Sequence, residues 1–179
     1  MAVIALAATL AVPAMAALTG ANARRSAAEL AGSMRALFEI AGLRHATCRL
    51  VLEHETRSWH AECAPGRAAV SPDGKEDLKE RFPGEQDEQV RAVLARSEYG
   101  ALDDRLVGKR ELPGATRFGP VVVEGRRDPV ESGLAHVYFF PGGRAQAARV
   151  PVVDGDFTYT VVLEPFTGRA RVVIGEVKE

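Results

Sequence analysis

Cys48 and Cys63 are the chain's two cysteines and lie 15 positions apart. That separation is too wide for the Cys-x-x-Cys spacing of zinc and thiol redox motifs. Residues 47–53 and 58–63 read as two strands around His54-Glu55-Thr56-Arg57, a hairpin with Leu50, Leu52 and Trp59 among its packing candidates. With the turn centred between Glu55 and Thr56, facing positions sum to 111, and 48 and 63 are such a pair. At a non-hydrogen-bonded rung the Cα atoms lie about 4.5 Å apart, within disulfide reach. A cross-strand disulfide and a pair of buried thiols are the two readings this leaves open.

The other reactive side chains form no recognisable constellation. His54-Glu55 opens a zinc-protease motif, but the motif needs a second histidine where Ser58 stands. His60 comes two positions late, and His45 and His136 are scattered, so no metal site is expected. Asp154-Gly155-Asp156 offers too few carboxylates for a calcium cage and suits a tight turn. There is no phosphate-binding loop, dinucleotide fingerprint or Gly-x-Ser-x-Gly elbow, and Ser132-Gly133 has no activating neighbour in sequence. Arg126, Arg127, Arg169 and Arg171 could make a basic patch, but Glu124, Asp128 and Glu164 dilute it. Neither catalysis nor a cofactor is expected.

The elements that carry these residues follow from composition and period. With 179 residues, 46% hydrophobic and 26% charged, the chain can fold without staples as one domain plus a membrane-seeking end. Its 23 basic residues against 24 acidic ones leave no cationic excess for phosphate, and from Arg117 onward 8 bases meet 8 acids. Nucleic acid is therefore not an expected partner. No ionisable side chain precedes Arg24, and Val3, Ile4, Leu6, Leu10 and Val12 stand among alanines. That stretch is just long enough to cross a bilayer. Ala14-Met15-Ala16 also has the form of a signal cleavage site, although no basic segment precedes it, and a buried core helix is the third reading, although such a helix normally shows one polar face.

Past Pro13, expected to bend the helix, alanine-rich sequence continues to Ala41. Ala27, Leu30, Ala31, Met34, Leu37, Phe38 and Ala41 recur at helical spacing, with Arg24, Arg25, Glu29, Arg35 and Glu39 opposite. The helix is expected to pass from membrane into solvent, lay Leu30, Met34, Leu37 and Phe38 on a sheet, and stop at Gly42. Residues 64–116 are punctuated by proline and glycine, and 73–111 carry 11 acids and 8 bases. They read as an exposed, charged insertion with a short helix at 86–97 striped by Val90, Val93 and Leu94. Strands are expected at 118–124, 134–140, 147–153, 157–163 and 169–174, each antiparallel to the next. The fold class is α+β: an N-terminal unit, 1–43, on a β-rich unit, 44–179.

An apolar helix with a proline, its amphipathic continuation Ala21-Asn22-Ala23-Arg24-Arg25-Ser26-Ala27-Ala28-Glu29-Leu30 and then a β domain resemble the type IV pilin and pseudopilin family. Tyr138-Phe139-Phe140-Pro141-Gly142-Gly143, then Thr158-Tyr159-Thr160-Val161-Val162-Leu163-Glu164-Pro165 and Thr167-Gly168-Arg169, are similar to the H-type minor pseudopilins of the type II (general) secretion pathway. The likeness spans nearly the whole chain outside 64–116. It implies a pilin-like fold and a structural subunit near the tip of a pseudopilus that helps export folded proteins. The implied partners are other pseudopilins and the inner-membrane secretion platform. The implied location is the bacterial inner membrane, crossed once, with the C-terminal domain in the periplasm. A minor type IV pilin, in adhesion or DNA uptake, and a β-rich binding domain secreted after signal cleavage are the alternatives.

The family's basic leader, the glycine before its cleavage point, its Phe-Thr-Leu-like start and the glutamate that follows have no match here. Aligning Pro13 with the family's helix proline puts the processing point about nine residues upstream of Met1, as if a start codon had been assigned too late. Prepilin peptidase would then be a partner. Mass spectrometry of the mature native chain is expected to find a methylated residue upstream of Met1; a soluble chain beginning at Ala17 would support signal cleavage instead.

Overall fold

The computed structural model describes residues 2–68, 70, 92 and 98–177, with side chains from Gly20 onward. Helix α1 runs Ala2–Leu43, 42 residues, and is continuous through Pro13. Ala23, Ala27, Leu30, Ala31, Met34, Leu37 and Ala41 form one fully buried stripe at the expected period. Its alanines let the helix axis come close to the strands, and its larger side chains fill the space between them. Each fully buried Leu or Met contributes roughly 1.5–3 kcal/mol relative to exposure. Phe38 is half-buried, its ring lying where a Cβ on Gly168 would fall, so that turn must carry glycine.

The helix ends one residue past the expected stop. Gly42 remains helical, and the left-handed residue is His45, at φ 48°, whose amide donates to the Gly42 carbonyl at 3.3 Å. Arg44 closes the last full turn on Ile40 at 2.9 Å. A glycine marks a helix end only where the chain must reverse hand, and here it reverses three positions later.

Two sheets face the helix rather than one. The first contains β1 (Ala46–Glu53), β2 (Ser58–Pro65), β3 (Gly100–Ala101), β4 (Arg110–Glu111), β7 (Leu134–Phe140) and β8 (Arg144–Ala145). The second contains β5 (Arg117–Phe118), β6 (Val122–Val123), β9 (Ala148–Asp154), β10 (Phe157–Leu163) and β11 (Ala170–Ile174). Helix α1 touches β1 and β7 of the first sheet and β9, β10 and β11 of the second. The β1–β2 hairpin pairs Leu50 with Ala61 and Cys48 with Cys63, every pair summing to 111. Leu50, Leu52, Trp59, Phe139, Val150, Val152 and Val161 meet the helix stripe in a common core.

The expectation that successive strands pair fails at β7. It lies antiparallel to β1, while β9 pairs with β10. After the Pro141-Gly142-Gly143 turn, only β8 returns along β7 before the Gln146 side chain takes over. Its Oε1 accepts from the Tyr138 amide at 3.1 Å and its Nε2 donates to the Glu124 carbonyl at 2.9 Å, so the chain leaves for the other sheet with those groups satisfied. The expected strand at 118–124 is likewise broken into β5 and β6 around Gly119-Pro120, since proline cannot donate to a ladder.

The insertion is also only partly what its composition implies. The expected helix at 86–97, with Val90, Val93 and Leu94, lies outside the described residues apart from Ala92. Residues 100–112, however, are a packed strap: β3 and β4 both add to β2, Val107 is fully buried, and Leu112 nearly so. Ser33 Oγ on the helix donates to the Leu106 carbonyl at 3.0 Å and can accept from Trp59 Nε1 at 3.4 Å. Charge along the strap is thus carried by its outward side chains, while Val107 and Leu112 reach the core.

Cys48 and Cys63 form a disulfide with Cα atoms 4.0 Å apart. Closing a loop of about 15 residues contributes about 3 kcal/mol by the chain-entropy estimate. Reduction with the fold otherwise intact is therefore expected to lower the unfolding free energy by about that amount, read as a shift in denaturant midpoint with and without reductant; an unchanged midpoint would show the hairpin does not depend on the bond.

Candidate functional site

Three features of the folded chain could carry function: the helix, the far face of the first sheet, and a groove beside the helix. On α1, Leu30, Met34 and Leu37 are fully buried and belong to the core, with Phe38 at its margin. Val3, Ile4, Leu6, Leu10, Val12 and Pro13 lie on the part of α1 whose side chains are outside the described residues. No helix among the described residues is long and apolar enough to cross a membrane.

The far face of the first sheet follows from alternation along β1. Cys48, Leu50 and Leu52 point to the helix, so Arg49 and Val51 point away. Arg49 is only 7% exposed. Its Nε donates to Glu62 Oε2 at 2.6 Å across the β1–β2 rung, and His60 Nε2 lies 3.2 Å from the other Glu62 oxygen. The Arg49 guanidinium sits 4.2 Å over the Tyr99 ring, which meets Tyr138 edge-on at 6.0 Å. His136 lies beside Tyr138, 7% exposed, with no hydrogen-bond partner for Nδ1 among the described residues.

Burial and then the Arg49 charge hold the His136 imidazole down at about 4. Burial, assisted by the Tyr138 phenol, pushes the Tyr99 phenol well above its ordinary value. Neutral histidine, paired arginine and edge-on phenols make a packing cluster that holds the start of the strap on the sheet. The arrangement presents no nucleophile with a base. Arg49, Glu62 and Tyr99 did not stand out in sequence, yet the rule that pairs Cys48 with Cys63 also pairs Arg49 with Glu62.

Other chemically suggestive residues turn out to be structural. His54 meets Phe118 edge-on, and its imidazole is pushed down chiefly by burial. The exposed Glu55 carboxylate accepts from the Gly133 amide at 2.8 Å, which lowers its pKa and ties the hairpin turn to the loop holding Ser132. Asp154 is buried and accepts from Thr116 Oγ1 at 3.3 Å, while Gly155, at φ 58°, makes the tight turn into β10. Among the described residues no three His, Cys, Asp or Glu side chains are grouped as a metal site. Of the arginines, Arg171 stands 3.9 Å from Glu164 and Arg144 pairs with Glu124 at 3.0 Å, so acid and base interleave.

The third feature is a groove of about 470 Å³ between α1 and the edge of the second sheet. Arg24 and Ala28 line it from the helix, Tyr159, Val172 and Ile174 from β10 and β11.

Neither a protein-family model nor a curated protein matches the sequence. Solved structures do match. A crystal structure of the minor pseudopilin EpsH from the type II secretion system of Vibrio cholerae superposes with a TM-score of 0.55 at 12% identity, over 88% of this chain and 97% of that one. The fold is pseudopilin-like. A second structure of the same Vibrio cholerae protein aligns at a TM-score of 0.49 and 11% identity, over 86% and 96% of the two chains.

The cluster on the first sheet generates a pH dependence. An unfolded histidine takes up its proton near 6.5, and folded His136 resists to about 4. Between those values the unfolded state binds more protons, so stability falls as pH drops through the window, by up to about 3 kcal/mol. His136→Gln is expected to flatten that loss, read from urea midpoints at neutral pH and near pH 4.5; the same pH dependence in both proteins would overturn the assignment to His136.

Proposed function

We propose that this chain is a minor pseudopilin, a non-catalytic structural subunit of a type II secretion pseudopilus. The observation that carries the reading is the likeness of fold, with a helix that builds the core of a β domain and then projects beyond it. The uncharged sequence before Arg24 supports a membrane-spanning first half, anchoring the chain once in the bacterial inner membrane with residues 44–179 in the periplasm. The Cys48–Cys63 disulfide suits that oxidising compartment. Residues 1–43 then act as the anchor and assembly unit.

The mechanism is assembly. Extraction from the bilayer exchanges lipid contacts for close packing against other pseudopilin helices, and Ala5, Ala7, Ala8 and Ala11 permit near approach. Force on the projecting helix reaches the β domain directly because the same helix forms its core. The subunit would sit near the tip, with the inner-membrane platform below it and prepilin peptidase acting on any upstream leader. Nucleic acid has no place in this mechanism, in keeping with the interleaved charges.

An arginine at a membrane-helix centre costs about 2.5–3.5 kcal/mol on insertion scales. Leu6→Arg in the native host is therefore expected to deplete the chain from the inner membrane and leave folded exoproteins in the periplasm. Normal secretion in that strain would overturn the reading. Normal secretion with lost adhesion or DNA uptake would point to a type IV pilus instead, and a wild-type chain processed after Ala16 and free in the periplasm to a secreted binding domain.

A further inference from the structure

We propose that the end of the β domain nearest the projecting helix rests on the phospholipid surface, through Phe157 and Ile174 with Arg24 between protein and headgroups. This rests on the membrane-spanning reading of the first half of α1 and adds a second contact to it.

Geometry places the surface. Arg24 and Arg25 are the first ionisable side chains along the helix, so the hydrocarbon, about 30 Å thick, must end before them. Gly20 to Arg24 therefore fall at the bilayer boundary. The β domain has an apolar margin at that level. The Phe157 ring packs on Gly20, where an added Cβ would come within 3.2 Å of it, and Phe157 remains 40% exposed. Ile174, at the end of β11, is 83% exposed. It shares the groove beside α1 with Arg24 and Tyr159.

The composition suits a headgroup boundary rather than water or hydrocarbon. Aromatic rings with one polar end collect at that depth, and arginine extends its charge to phosphate while its stem lies on apolar surface. A protein partner would need an occupant of its own for this groove, whereas the bilayer is already brought there by the helix. The tether makes the contact intramolecular, so a modest apolar area suffices.

The opposite end of the domain supplies a control. The Phe38 ring meets the turn at Gly168, and Phe38 is about 27 Å along the helix from Gly20 at 1.5 Å per residue. Phe166, in that same turn, is 74% exposed and should stand clear of the bilayer.

The test uses the full chain in phosphatidylethanolamine–phosphatidylglycerol vesicles carrying lipid brominated near the top of the acyl chain. Trp59, the chain's single tryptophan, is fully buried and gives the background. Ile174→Trp and Phe166→Trp each add one exposed reporter, and intact-mass retention of the disulfide verifies the fold. Ile174→Trp is expected to lose several-fold more emission to bromine than Phe166→Trp. Equal quenching in a chain that floats with the vesicles would overturn the surface contact and leave the anchor standing. Shielding of Ile174→Trp that follows protein concentration rather than bromine would overturn it in favour of a second copy in the groove. A chain that does not float at all would overturn the anchor and this contact together.

Discussion

Burial of one stripe of α1 is the interaction on which the rest of the structure depends. Two sheets that do not pair with each other are joined by packing on the same helix, through Leu30, Met34 and Leu37 and the alanines between them. Small residues set the approach and large ones fill the gap, so the stripe fixes both the distance and the angle of each sheet. A helix that served only as an anchor could be apolar anywhere. This one must be apolar on one line and polar opposite it, which is why its charges begin at Arg24 and keep to the outer side.

Polar chemistry inside the molecule serves the same architecture. Ser33 interrupts the apolar face of the helix and joins α1, the hairpin and the strap through the Trp59 indole and the Leu106 carbonyl. On the far side of the first sheet, Arg49 and Glu62 are sequestered together. A buried pair of this kind is expensive to break and adds little net stability, so its contribution is to register. The disulfide on the adjacent rung acts at the same place. Both lock the strand that accepts β3 and β4, and with them the return of the insertion to the core.

A fold shared at 12% identity is shared by pattern. Helical period, strand alternation and turn residues survive extensive substitution provided volume and polarity are kept, because cores tolerate exchanges that conserve both.

By itself the sequence determined whatever neighbouring residues decide among themselves. The helix and its buried stripe, the hairpin with its 111 register, and the glycine turns at 143, 155 and 168 all follow from periods and dihedral preferences acting over a dozen residues or fewer. The tertiary structure alone decided which strands meet. Strands β1, β7, β9 and β10 are comparably apolar, and nothing local tells 134–140 to pair with 46–53 rather than with 148–154. It also decided that a charged strap would be packed, that Arg49 and Tyr99 would stack across 50 positions, and that Tyr159 and Ile174 would gather beside Arg24. Such contacts reflect competition among distant segments for the same buried surface, and that competition is resolved only once the whole core is assembled.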